Sequence, residues 1–93
     1  MGSFMGGSAP AMARQIAQGY SLVSAPMLKR LTIPQMDQLV FELDKKLRAI
    51  RAEPIDLEEQ EKLQLRNRTL SRIEGSLRMI KGTIQEKRRR GIR

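Results

Sequence analysis

Two runs of apolar residues spaced in steps of three and four constrain this chain more than any other feature. Ile33, Met36, Val40, Leu43, Leu47 and Ile50 make the first; Leu63, Leu70, Ile73, Leu77, Ile80 and Ile84 make the second. Such steps place every side chain of a run on one stripe of an α-helix, the a and d positions of a heptad repeat. Arg66 stands at the one place in the second run where a hydrophobe is missing.

The boundaries follow from local chemistry. Thr32 with Gln35 three residues later is a capping box, and Pro34 falls in the first turn, where a missing N–H costs nothing. Glu53 precedes Pro54, which pushes it out of the α region, so the first helix spans 33–52. Asp56 reads as the N-cap of the second, with Glu58, Glu59 and Glu61 at its positive end. That helix is expected over 57–88, roughly 48 Å at 1.5 Å per residue.

A short, proline-containing link between two matching stripes predicts an all-α fold: an antiparallel two-helix hairpin over 32–88 closed by a coiled-coil-like seam. The consistent register pairs Ile50 with Leu63, Leu47 with Arg66, Leu43 with Leu70, Val40 with Ile73, Met36 with Leu77 and Ile33 with Ile80. Ile84 then falls opposite Lys29, and Met27, Leu28 and Leu31 are the apolar groups available to cover it. Arg66 facing Leu47 is expected to pack its stem and turn its guanidinium to a carboxylate such as Glu59 or Asp44. Before the hairpin, the Gly- and Ser-rich residues 1–10 read as a flexible lead. Residues 11–31 read as a weakly helical or extended arm, with a short helix ended by Gly19 and a break at Pro26.

A single seam buries little surface, and so small a core ordinarily needs a disulfide, a metal or a partner. With no Cys and no His among its 93 residues, the chain lacks disulfides and the usual metal ligands. A homo-oligomer or a subunit of a larger complex is therefore expected. Leu39, Phe41, Leu65 and Met79 lie off the seam and are the candidate partner-binding residues, free to receive residues 11–28 or another chain.

The same absences remove the thiolate nucleophile and the commonest general base, so the chain reads as non-enzymatic, with no cofactor and no metal site. The acidic residues of 53–61 lack the spacing of a calcium loop. No apolar stretch approaches the length of a membrane span, and Met1 to Gly7 lacks the order of a secretory signal. The expected location is intracellular and cytoplasmic. Nuclear or organellar alternatives rest on the KRRR run at 87–90 and on the lack of acidic residues before Asp37.

Charge is the strongest functional signal. Residues 1–61 carry seven basic and eight acidic side chains; residues 62–93 carry eleven basic and two acidic, a net of +9. Arg68, Arg72, Arg78 and Lys81 leave the seam of the second helix, and Lys87, Arg88, Arg89, Arg90 and Arg93 form a basic tail over 87–93. These nine are the candidate polyanion-binding residues. Glycines at 75 and 82, seven apart on one face, read either as places where another backbone or a phosphate chain approaches closely or as tolerated weak points of the helix. One Tyr, two Phe and no Trp leave no stacking platform, so nucleic acid, RNA or DNA, is expected to be held through backbone phosphates. Deleting residues 87–93 should remove most of that binding. The alternative is a protein–protein subunit or adaptor of a larger helical assembly, its basic face meeting an acidic partner; a lipid surface is disfavoured because no apolar face lies beyond the seam.

Overall fold

The computed structural model describes residue 4 and residues 7–91 and is all-helical, with four helices rather than two: α1 (Ala9–Gln18), α2 (Ala25–Lys29), α3 (Ile33–Ala52) and α4 (Gln60–Arg89). α1 packs on both α3 and α4, so a three-helix core stands where a single seam is expected.

α1 is specified by small residues and two caps. Ser8 accepts a hydrogen bond from the Ala11 N–H at 3.2 Å, and Pro10 sits in the first turn, so residues 8–10 open a helix instead of a loose lead. Ala9, Met12, Ala13 and Ile16 form its buried stripe. Gly19 ends it in the left-handed conformation (φ 83°), its N–H donating to the Ile16 carbonyl while the Tyr20 N–H returns to Gln15. α2 is a short turn capped by Ser24, whose hydroxyl accepts from the Met27 N–H at 3.4 Å.

α3 has the expected bounds. Its capping box is complete: Thr32 Oγ1 accepts from the Gln35 N–H at 3.2 Å, and Gln35 Oε1 accepts from the Thr32 N–H at 2.9 Å. α4 begins at Gln60, three residues later than expected. Asp56 Oδ1 accepts from the Glu58 N–H at 3.0 Å, and the Glu59 N–H reaches the Asp56 carbonyl, so Asp56 closes its own tight turn and caps no helix.

The two long helices run antiparallel in a register one heptad away from the expected one. Arg88 Nη2 lies 3.2 Å from Asp37 Oδ2, and Arg51 Nη2 lies 3.5 Å from Glu74 Oε1. Pairing Val40 with Ile73 would set Arg88 twelve residues, about 18 Å, from the level of Asp37, beyond the reach of any side chain. A slip of seven residues leaves each ion pair five residues, about 8 Å, from level, which an arginine side chain can span. It brings Leu47 level with Ile73, Leu43 with Leu77, Val40 with Ile80 and Met36 with Ile84, all of which belong to the core or pack against it. A heptad repeat looks the same after such a slip; what differs is where Arg66 falls. The expected register puts its charge against Leu47 inside the seam, at a desolvation cost. The observed register moves it past the end of α3 and buries Ile84, only 5% exposed, in its stead.

The core is Met12, Ala13 and Ile16 of α1, Leu28 and Leu31 around α2, and the facing stripes of α3 and α4. Leu39, expected to receive residues 11–28 or another chain, is fully buried in it together with Met12, Ala13 and Ile16. It lies one short step round α3 from the seam, and α1 supplies its cover.

Candidate nucleic-acid interface

The basic residues of α4 divide into two groups according to whether the fold has already used them. Arg72 Nη1 donates to the Ala17 carbonyl at 3.5 Å, at the C-terminal end of α1. A Cβ on Gly19 would stand 2.8 Å from the Arg72 guanidinium carbon, so arginine and helix end are in close contact. Lys87 Nζ donates to the Leu31 carbonyl at 2.9 Å and to the Leu28 carbonyl at 3.5 Å, closing the end of α2. Both cations sit where a helix presents unpaired carbonyls and partial negative charge. They fasten α1 and α2 to α4.

The second group faces solvent. An open groove of about 550 Å³ runs between α3 and α4, lined by Arg78, Lys81, Gly82, Gln85 and Arg88 from α4 and by Asp37 and Val40 from α3, with Ile84 in its wall. Lys81 lies nine residues from Arg72, half a turn round the helix, so the groove is on the side of α4 opposite the α1 contact. Gly82 contributes no side chain, and a Cβ there would meet nothing within 4 Å. Gly75 would meet only the Arg78 guanidinium, at an ordinary 3.9 Å.

The groove carries uncompensated positive charge. Its single carboxylate, Asp37, is already engaged by Arg88. Among the described residues, Arg78, Lys81 and Arg89 have no carboxylate within ion-pair distance, and all three are exposed. Arg90 pairs with Glu86 at 3.0 Å, one helical turn back. Such exposed pairs contribute at most about 1 kcal/mol, so Arg88 and Arg90 can be turned to an external phosphate at little cost. From Arg78 to Arg89 the cations cover about 16 Å of helix axis. Arg68 is exposed but stands about 15 Å before Arg78, outside the groove. Arg93 lies outside the described residues.

The four residues expected to meet a partner do not form one surface. Leu39 is core; Phe41 is 57% exposed on the outer side of α3, with Lys45 Nζ 5.4 Å from its ring centroid. Leu65 lies with Ile50, Glu53 and Arg66 in a cleft of about 290 Å³ near the α3–α4 loop, and Met79 is only partly exposed on α4. Arg66 itself makes none of the expected carboxylate pairs, and its Nε is buried without a hydrogen-bond partner.

Asp37, Val40 and Gln85 were not signalled by sequence as part of this surface. Their juxtaposition depends on the register of α3 against α4, to which a heptad repeat is blind. No helix among the described residues is long and apolar enough to cross a membrane. In comparisons with protein-family models, curated proteins and solved structures, nothing matches the chain.

Proposed function

We propose that this chain is a non-enzymatic nucleic-acid-binding protein that holds RNA or DNA through backbone phosphates along the exposed side of α4. The observation that supports this most directly is the open α3–α4 groove, where Arg78 and Lys81 stand without carboxylate partners and Arg89 continues the line. α1 closes the other side of the bundle, and Arg72 and Lys87 hold it shut, so the fold separates cations that build it from cations left for solvent. With no aromatic platform, affinity would come from phosphate contacts and counterion release, not from reading bases.

Fluorescence anisotropy with mixed-sequence RNA and duplex DNA, in 50–300 mM salt, tests this. Affinity should fall steeply with salt. The triple variant Arg78→Ala, Lys81→Ala, Arg89→Ala should lose at least tenfold at low salt and shallow the slope by about three phosphate contacts. Lys87→Met should lower the melting temperature and leave affinity within about twofold, because its ammonium is committed to backbone carbonyls. Absence of binding at 50 mM salt would overturn the proposal. The adaptor reading would then take its place, supported by exposed Phe41, whose replacement by Ala should weaken capture by an acidic helical partner and not alter the fold.

A further inference from the structure

The molecule is long and its charge is divided by end. It measures 50 × 25 × 18 Å, and α4 runs most of that length. At one tip, the α3–α4 loop and the start of α4 expose Glu53, Asp56, Glu58, Glu59 and Glu61, of which only Glu59 has a cationic partner among the described residues, Lys62 at 2.8 Å. At the other, Lys87 ties α2 to the end of α4, so Lys29 and Arg30 gather beside Arg88, Arg89 and Arg90. The acidic tip also exposes apolar side chains, Ile55 at 50%, Leu57 at 74% and Leu65 at 55%, around the first turns of α4; Tyr20 and Leu22, the most exposed of all, lie in the α1–α2 link.

An exposed apolar cluster rimmed by carboxylates calls for an occupant that is cationic with apolar stems. The opposite end of a second copy has that chemistry: exposed Pro26 and half-buried Met27 among Lys29, Arg30 and Arg89. We infer that copies of this chain associate head to tail, the acidic apolar tip of one seated on the basic α2–α4 end of the next. Such a contact is heterologous and does not close on itself as a two-fold dimer does, so it propagates into linear arrays. Its size is bounded by the end face: 25 × 18 Å allows roughly 450 Å² per partner, against about 800 Å² for a standard stable interface. The association is therefore weak, salt-sensitive and visible only in concentrated solution. It covers Arg88 and Arg89 at the end of the groove and leaves Arg78 and Lys81 free, so arrays would line up these two cations of successive copies along one axis.

Analytical ultracentrifugation and small-angle scattering of nucleic-acid-free protein test this, from tens of micromolar to about one millimolar at 20 and 300 mM salt. Mean mass should rise with concentration at low salt, the longest dimension growing in steps of about 50 Å, and both should revert at high salt. Glu58→Lys with Glu61→Lys nearly neutralises the acidic tip and keeps the basic end; Lys29→Glu with Arg89→Glu nearly neutralises the basic end and keeps the acidic tip. Each alone should remain monomeric, while their equimolar mixture should form heterodimers and go no further, because only the intact basic end of the first and the intact acidic tip of the second are still complementary. Circular dichroism of each variant shows whether it keeps its helices, and the mixing rescue cannot arise from unfolded chains. A wild-type mass unchanged by concentration at 20 mM salt, a wild-type mass that stops at a dimer, or association that survives either double variant would overturn the inference.

Discussion

The two halves of α4 carry nearly the same apolar spacing and meet different fates. From Ile73 to Ile84 the stripe is buried, with Ile73 and Ile80 at 0% exposure and Leu77 and Ile84 at 5%. Between Gln60 and Leu70 the same stripe is only half-buried at Leu63 and Leu70, Leu65 beside it is open, and Arg66 hides an unsatisfied Nε. The later half faces both α3 and α1; the earlier half overhangs the end of α3 beside the irregular loop of residues 53–59. Periodicity thus specifies which side of a helix can be buried, and the length and position of its neighbours decide whether it is.

The largest test of that difference compares one deletion in each half. Ile80→Ala should cost about 2–5 kcal/mol, since the side chain is fully enclosed and the cavity has helices on two sides. Against a total stability of about 5–14 kcal/mol for a domain of this size, that is a large fraction. Leu63→Ala, half-exposed, should cost about 1 kcal/mol or less. Urea denaturation of both variants measures the contrast, and equal losses would mean that the overhang is as well packed as the bundle.

A smaller effect addresses what makes the later half a three-helix core. Gly19 has φ 83°, and a Cβ there would press into the Arg72 guanidinium at 2.8 Å. Gly19→Ala should cost about 1–2 kcal/mol for the left-handed backbone, together with loss of the Arg72 contact to the end of α1. Hydrogen exchange locates the damage: protection of α1 amides should fall well before that of α3. Uniform loss across all helices would show that α1 does not open on its own.

These residues also show how far the sequence alone was legible. The bounds of α3 and its capping box were readable because Thr32, Gln35 and Pro54 act within one turn of themselves. The start of α4 was not, because Asp56 suits both an N-cap and a tight turn and took the turn. α1 was written in the Ser8 and Gly19 caps and the 9, 12, 13, 16 stripe, but alanines give that stripe little hydrophobic contrast, so it read as a weak arm. The register was not legible from spacing: two slips of a heptad repeat satisfy the same stripe, and only the cost of placing Arg66 and the cover available to Ile84 separate them. For the candidate interface, the charge bias of residues 62–93 was readable, whereas the division of its cations was not. Arg72 and Arg78 look alike in sequence, and only the path of α1 makes one of them a fastener.

The smallest expected effect has the opposite sign and bears on the earlier half alone. Arg66 keeps the hydrophobe's place in the heptad, yet its Nε is buried with no acceptor, a state that costs about 1–3 kcal/mol relative to a satisfied group. Its neighbours in the cleft include Ile50, Leu65 and the stem of Lys62, which suit an unbranched apolar side chain as well as they suit an arginine stem. Arg66→Met should therefore stabilise the fold by a few tenths to about 1 kcal/mol, because the guanidinium recovers part of its cost through contact with water at its outer nitrogens. A rise in melting temperature of roughly 2–6 °C follows from the size of the domain. Nucleic-acid affinity should stay within about twofold, since Arg66 lies on the cleft at the acidic tip and outside the groove that holds Arg78 and Lys81. A destabilised Arg66→Met would mean that the charge is satisfied after all, by a carboxylate of the tip such as Glu53. The earlier half of α4 would then be a built polar end and not an uncovered one.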